Sequence, residues 1–117
     1  DEPLELRAAL ESLADDVFVI LDCLTLWVAN RLERNGVEED LLAEAEHVAR
    51  VAAARAAPLV AVTNEVGLGV VPATPLGRVY RDLLGEVNRT FARSADSAFL
   101  VVAGRALPLV RTEDLLA

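Results

Sequence analysis

Three short runs of apolar residues divide the chain, and longer stretches with helical spacing lie between them. The runs are Val17–Leu21, Leu59–Val62 and Ala98–Ala103. Each run is continuous rather than alternating with polar residues, which is typical of strands that are covered on both faces, as in a parallel sheet. The pattern therefore predicts three strands of one small sheet.

The stretches around these runs predict three helices, Leu24–Arg34, Glu38–Ala57 and Pro75–Ala95. Asn35-Gly36 is a C-cap signal for the first helix, and Thr74 with Pro75 is an N-cap signal for the third. Strands that alternate with helices predict an α/β fold with right-handed crossovers. We interpret residues 1–117 as a single α/β domain, with Leu107–Val110 as a short antiparallel edge strand.

Composition narrows the class of protein. The 19 acidic and 11 basic residues give a net charge of −8, so the basic surface that a nucleic-acid-binding protein needs is not visible. No apolar run is long enough for a transmembrane span. The single cysteine, Cys23, allows no intrachain disulfide and fits a reducing compartment. Because three strands are few for a sheet, and because the chain begins with Asp, we expect it to be a piece of a longer polypeptide.

Candidate chemistry lies where the predicted strands end, because parallel sheets bind ligands beyond the carboxyl ends of their strands. Asp22 follows the first strand, and Asn64 and Glu65 follow the second, so we expect all three at one edge of the sheet. An acid after an apolar strand resembles the Walker B pattern, whose carboxylate holds Mg²⁺ beside nucleotide phosphates. The alternative is an Asp that caps the next helix. Cys23 is interpreted as a small buried residue rather than a nucleophile.

The segment "TNEVGLGVVP" after the second strand allows two interpretations. It is either a strand-to-helix turn that uses glycine at positive φ, or a ligand loop in which Asn64 and Glu65 face the ligand. In the second case Gly67 and Gly69 let the ligand approach the backbone. Pro72 stands where a dinucleotide fingerprint would have its third glycine, which excludes a Rossmann site. The sequence contains no lysine, so it lacks a P-loop.

The third predicted helix has an apolar and a polar side. The apolar stripe consists of Leu76, Val79, Tyr80, Leu83, Leu84, Val87 and Phe91, and the polar stripe of Arg78, Arg81, Asp82, Gly85, Asn88 and Arg89. Gly85 costs roughly 1 kcal/mol relative to Ala inside a helix. We therefore expect the polar stripe to face another subunit or a nucleotide rather than bulk water. His47, in the second helix, is expected to be a surface or half-buried residue.

Four segments together carry a resemblance to a known family. "VILDCLTLWVANRL", "VTNEVGLGVVP", the spacing RxYRDxxGxxN from Arg78 to Asn88, and "ADSAFLVVAG" resemble the bifunctional adenosylcobinamide kinase/adenosylcobinamide-phosphate guanylyltransferase family of cobalamin biosynthesis. The resemblance runs in order across nearly the whole chain. It implies a RecA-like P-loop NTPase-type fold, with a parallel sheet flanked by helices, and a cytoplasmic homotrimer.

The resemblance also implies an activity. Members of this family phosphorylate the aminopropanol hydroxyl of adenosylcobinamide with ATP or GTP. They then pass GMP from GTP, through a guanylyl-histidine, to that phosphate, which gives adenosyl-GDP-cobinamide. The alternative is a non-catalytic remnant or interaction module with the same fold.

Site residues follow from the resemblance position by position. The catalytic positions are Asp22, Asn64 and Glu65, with Asp22 also at the Mg²⁺ position, and the nucleotide-binding positions are Asp1 (or its neighbour Glu2), Asp22, Gly67, Gly69, Arg78 and Arg81. The chain departs from the family in that the P-loop strand and the segment with the guanylylated histidine are missing, and His47 does not match that histidine. We therefore expect these residues alone to complete neither reaction and to bind nucleotide weakly.

Overall fold

The computed structural model of the chain describes residues 6–34, 38–69 and 71–116. The elements are α1 (Leu6–Glu11), β1 (Val19–Asp22), α2 (Leu24–Glu33), α3 (Glu38–Ala53), β2 (Leu59–Val62), α4 (Pro75–Ser94), β3 (Phe99–Val102), β4 (Arg105–Pro108) and α5 (Thr112–Leu115). The predicted alternation of strands and helices is confirmed. The short helices α1 and α5 were not predicted, and the Asn35-Gly36 cap signal lies outside the described residues.

The strands form two separate ladders rather than the one sheet expected. β1 and β2 are parallel, with Val19 opposite Leu59 and Asp22 opposite Val62. β3 pairs with β4 in an antiparallel hairpin that turns through Ala103 and Gly104, both at positive φ. The predicted antiparallel strand is thus confirmed, but it spans Arg105–Pro108 rather than Leu107–Val110. Within the described residues, the expectation that β3 joins β1 and β2 in one sheet is wrong.

The hydrophobic core lies between one face of the β1–β2 sheet and the helices α2, α3 and α4. Its buried side chains are Leu21, Leu24, Trp27, Val28, Leu41, Ala45, Leu83, Leu84 and Val87. Fully burying a leucine or valine stabilises a fold by roughly 1.5–3 kcal/mol, so this cluster holds the three helices against the sheet. The predicted apolar stripe of α4 is confirmed except at Leu76, which is 67% exposed because it precedes the part of α4 that packs on the core.

The opposite face of the sheet is uncovered by the described residues. Ile20, Val60 and Val62 alternate with the buried positions and are 63%, 48% and 42% exposed. We call these three side chains the open face. The sequence predicted strands covered on both faces, and that expectation is not met here. Large apolar side chains of the β3–β4 hairpin, Phe99, Val101, Val102 and Leu107, are also exposed.

Helix α1 is tied to α3 by a charged cluster. The Glu11 carboxylate accepts the Arg7 Nε–H at 3.0 Å and lies 3.1 Å from His47 Nε2 on α3. Hydrogen bonds from His47 and Arg7 lower the pKa of Glu11 below its usual value. His47 is half-buried, as expected from the sequence. Across the described ranges, no helix is both long and apolar enough to cross a membrane.

Candidate functional site at the carboxyl end of the parallel strands

Asp22 and the Asn64-Glu65 pair lie at the same end of the sheet. The parallel register sets Asp22 opposite Val62, and Thr63, Asn64 and Glu65 follow directly. The predicted common edge is therefore confirmed. Asp22 is exposed. Because side chains alternate between the two faces of a strand, Asp22 lies on the same open side of the sheet as Ile20. The N-cap of α2 is Cys23, so the interpretation of Asp22 as a helix cap is wrong.

Asn64 is held by the first turn of α2. The Thr25 hydroxyl donates to Asn64 Oδ1 at 2.8 Å, and the Thr25 hydroxyl oxygen accepts the backbone N–H of Asn64 at 3.1 Å. One hydroxyl thus bonds to both the main chain and the side chain of one residue, across 39 positions of sequence. The chain leaving β2 is fixed toward the helix-covered side.

Asn88 on α4 holds the same segment from a second direction. Its Nδ2 donates to the carbonyl oxygen of Asn64 at 3.0 Å, and its Oδ1 accepts the Thr63 hydroxyl at 2.6 Å. The first of these bonds gives the Asn64 carbonyl a partner where β2 ends and the ladder stops, and the second joins two side chains. The two asparagines and two threonines, Thr25, Thr63, Asn64 and Asn88, form what we call the polar clasp.

Glu65 follows the polar clasp directly and lies at the exposed edge of the sheet. Glu65 is followed by a 3-10 turn, Val66–Leu68, in which the Leu68 N–H donates to the Glu65 carbonyl at 3.3 Å. A methyl group at Gly67 would stand 3.3 Å from Glu65 Oε1, so glycine leaves room for this carboxylate. Neither Gly67 nor Gly69 is at positive φ, and that part of the turn interpretation is wrong.

The two arginines predicted to bind nucleotide lie in the first two turns of α4. Arg78 Nη1 donates to the Pro72 carbonyl at 3.2 Å, which ties the helix to the end of the loop. Arg81 Nε donates to the exposed Asp82 carboxylate at 3.0 Å. Among the described residues, neither forms an ion pair with Asp22 or Glu65. Asp1 and Glu2 lie outside the described ranges.

Thr25 is the member of the site that sequence reasoning missed. A polar side chain in the first turn of a helix that follows a strand end is the signal that could have identified it. Tyr80 was assigned to the core, yet its hydroxyl also donates to the Thr25 carbonyl at 3.3 Å. Burial, followed by the charge of nearby Cys23, raises the pKa of Tyr80. Both residues link α2 to α4 beneath the loop.

The edge fits one part of a magnesium–nucleotide site. In the part of the chain that the structure describes, no cluster of three or more acidic, histidine or cysteine side chains could hold a metal unaided. Mg²⁺ is usually bound through one or two carboxylates together with substrate phosphates, and Asp22 fits that role. Two shallow depressions among the described residues lie away from this edge, one lined mainly by α1 and α3 and the other by α3 and α4.

A parallel α/β sheet with polar loops at its carboxyl edge is the architecture of a ligand-binding protein. The sequence model of the cobinamide kinase / cobinamide phosphate guanyltransferase family matches residues 1–109, and the chain belongs to that family. The resemblance inferred from the motifs is thereby confirmed.

Three curated relatives illustrate the match. Two are bifunctional adenosylcobalamin biosynthesis proteins CobU. That of Salmonella typhimurium is 38% identical over 104 residues, which cover 79% of this chain and 58% of the relative. That of Escherichia coli is 38% identical over 98 residues, which cover 74% of this chain and 54% of the relative. The bifunctional adenosylcobalamin biosynthesis protein CobP of Pseudomonas aeruginosa is 36% identical over 110 residues, covering 93% and 63%. The chain therefore spans less than two thirds of the length of these relatives.

Proposed function

We propose that the chain provides the catalytic edge of a bifunctional enzyme of cobalamin biosynthesis. The enzyme transfers a phosphoryl group from ATP or GTP to the hydroxyl of adenosylcobinamide, and then transfers GMP from GTP to the resulting phosphate. One observation carries the proposal. The residues that define the family likeness in the loop after β2 and in α4 are also those that hydrogen-bond to each other at the carboxyl edge.

Each polar residue at the edge has a part in this proposal. Asp22 holds Mg²⁺, which when bound neutralises charge on the transferring phosphate. The Glu65 carboxylate is exposed and has no hydrogen-bond partner among the described residues, so it is available to accept the proton of the attacking hydroxyl. Gly67 and Gly69 let the nucleotide approach the loop. Arg78, Arg81 and Asp1 complete the nucleotide contacts.

The proposal includes a P-loop NTPase-type sheet that is larger than the described one. Within the described residues, β2 is paired only with β1, and β3 only with β4. We place one further parallel strand between β2 and β3, supplied by the portion of the relatives that this chain does not cover. That strand would carry the phosphate-binding loop to the side of the sheet where Asp22 is exposed. The exposure of Ile20, Val60 and Val62 on the open face supports a larger fold, in which helices from the rest of the polypeptide would cover that face.

The same proposal extends to assembly and location. A single α/β domain that assembles as a homotrimer in the cytoplasm follows from the family likeness. The polar stripe of α4 would face a neighbouring subunit or the nucleotide. The described residues alone would bind nucleotide weakly, since they contain no lysine and no P-loop.

An assay of the full-length gene product tests the function. Adenosylcobinamide is incubated with Mg²⁺ and either ATP or GTP, and phosphorylated and GDP-linked products are measured by mass spectrometry. Asp22→Asn and Glu65→Gln should each lower the rate by about 100-fold or more. Glu33→Gln, an exposed carboxylate at the end of α2, is the matched control and should leave the rate unchanged. A wild-type protein that forms neither product would favour the non-catalytic alternative.

A further inference from the structure

Asn64 is hydrogen-bonded at every polar group except one. Its N–H donates to the Thr25 hydroxyl, its carbonyl accepts from Asn88, and its Oδ1 accepts from Thr25. The side-chain Nδ2 has no partner among the described residues, and Asn64 is exposed. Two N–H donors of a side chain whose orientation is fixed therefore face outward at the edge of the sheet.

Thr25 holds the Asn64 amide in that orientation. Its hydroxyl has one proton, which goes to Asn64 Oδ1, and a lone pair, which takes the Asn64 N–H. With Oδ1 turned toward α2, the planar amide must present Nδ2 on the opposite side. Without the hydroxyl, both orientations of the amide would be open, and a carbonyl oxygen would face the ligand in one of them.

The support beneath Thr25 is rigid. Its helix neighbours Leu24, Trp27 and Val28 are buried in the core. The Tyr80 hydroxyl donates to the Thr25 carbonyl at 3.3 Å, which links this turn to α4. A hydroxyl placed by a buried helix turn is held more precisely than one on a surface loop.

The geometry points to Thr25 as a positioning residue that turns the Asn64 amide donors toward a phosphate oxygen of the bound substrate. This inference rests on the proposed function. A neutral N–H donor suits this place because Glu65 is adjacent, and a second anionic group would repel the phosphate. The oxygen belongs either to the nucleotide or to the phosphate of the cobinamide intermediate, since both present the same chemistry.

Three variants of the full-length gene product test the inference. Thr25→Val removes the hydroxyl at constant shape, and Thr25→Ser keeps it. Thr90→Val is the control, because the Thr90 hydroxyl is buried on α4 and donates to the Glu86 carbonyl at 2.9 Å, away from the loop. Thr25→Val should lower kcat/KM by about 10–100-fold, whereas Thr25→Ser should stay within about threefold of wild type.

The KM values of the two substrates show which phosphate oxygen the Asn64 amide contacts. A higher KM for the triphosphate in the kinase step assigns it to the nucleotide, and a higher KM for cobinamide phosphate in the guanylyl transfer assigns it to the intermediate. The inference is overturned if Thr25→Val behaves like Thr90→Val, or if Thr25→Ser is as impaired as Thr25→Val.

A second measurement does not depend on activity. Hydrogen exchange of the peptide that spans residues 63–69 should accelerate about tenfold or more in Thr25→Val and not in Thr25→Ser. An inactive wild-type protein would defeat the proposed function, whereas the exchange result would still show whether Thr25 holds the Asn64 segment, which is the premise of the inference. Unchanged exchange in Thr25→Val would overturn it even in an active enzyme.

Discussion

The side-chain amide of Asn88 donates to the carbonyl oxygen of Asn64 at 3.0 Å, although 24 residues separate the two in the chain. Asn88 also accepts the Thr63 hydroxyl, so both polar ends of one amide are used on two consecutive residues. The contact joins the middle of α4 to the point where β2 leaves the sheet. It explains why a polar residue of α4 is directed toward the loop rather than into water.

Asn88→Ala should therefore destabilise the chain. The substitution removes two hydrogen bonds, each contributing about 0.5–1.5 kcal/mol, so the free energy of unfolding should fall by about 1–3 kcal/mol. Denaturation in urea measures the change. Asn30→Ala on α2 is the control, because the Asn30 side chain forms no hydrogen bond within the described ranges. Equal effects of the two substitutions would show that the clasp contributes nothing to stability.

Gly77 is required by close packing at the start of α4. A methyl group there would stand 2.9 Å from Pro72 Cβ and 3.0 Å from the Oγ1 of Thr74, the N-cap residue. Such contacts typically cost about 1–3 kcal/mol, which exceeds the gain of up to about 1 kcal/mol in helix propensity. Gly77→Ala should thus lower the melting temperature. An unchanged or raised melting temperature would mean that Pro72 moves aside freely.

Gly85 is the matched counterpart in the same helix. A methyl group at Gly85 would meet no atom within 4 Å. Gly85→Ala should therefore stabilise the subunit by about 0.5–1 kcal/mol through helix propensity. If the polar stripe of α4 packs on another subunit, the same methyl should weaken assembly, which light scattering detects. A more stable variant with an unchanged oligomeric state would rule out an interface at Gly85.

Local signals predicted the helices well because their ends are fixed by neighbouring residues. The Thr74 hydroxyl accepts the Gly77 N–H at 3.0 Å, and Pro75 occupies the first turn, as the sequence indicates. Helix α3 ends at Ala53 rather than Ala57 for a tertiary reason. The Arg55 side chain donates to the Ala14 carbonyl, and the backbone N–H of Ala57 donates to the Asp15 carbonyl. Both carbonyls belong to the turn before β1, and Ala14 is 41 residues from Arg55 in the chain.

Long-range pairing accounts for what the sequence did not predict. The apolar run of β3 identifies a strand but not its partner, and the structure pairs it with β4 instead of β2. The common edge of Asp22 and Asn64 followed from the parallel-sheet rule alone. The contact between Thr25 and Asn64 did not, because no spacing rule relates two side chains that are 39 residues apart.

Acid should weaken the attachment of α1 to α3. Hydrogen bonds from His47 and Arg7 lower the pKa of Glu11, so its stabilising effect is present above its ordinary pKa and is lost as the pH falls through the lowered value. Melting temperatures of wild type and Glu11→Gln should therefore differ near neutral pH and converge as acidification takes the pH through the lowered pKa of Glu11. Asp96→Asn, an exposed carboxylate without an ion pair among the described residues, is the control. A difference that persists unchanged into acid would contradict the assignment.

Whether the open face is buried in the full-length protein can be tested by chemical labelling. Val60 is 48% exposed and Leu26, on the outer side of α2, is 61% exposed, so a cysteine introduced at either position would react with a thiol-specific reagent if nothing more covered it. A strand and helices from the rest of the polypeptide would cover Val60 and leave Leu26 in water. In the full-length gene product, Val60→Cys should therefore be modified at least about tenfold more slowly than Leu26→Cys, since modification then requires local opening. Peptide mapping by mass spectrometry distinguishes either site from native Cys23. Equal rates would mean that the open face stays in solvent, and the proposed covering of that face by the rest of the polypeptide would have to be abandoned.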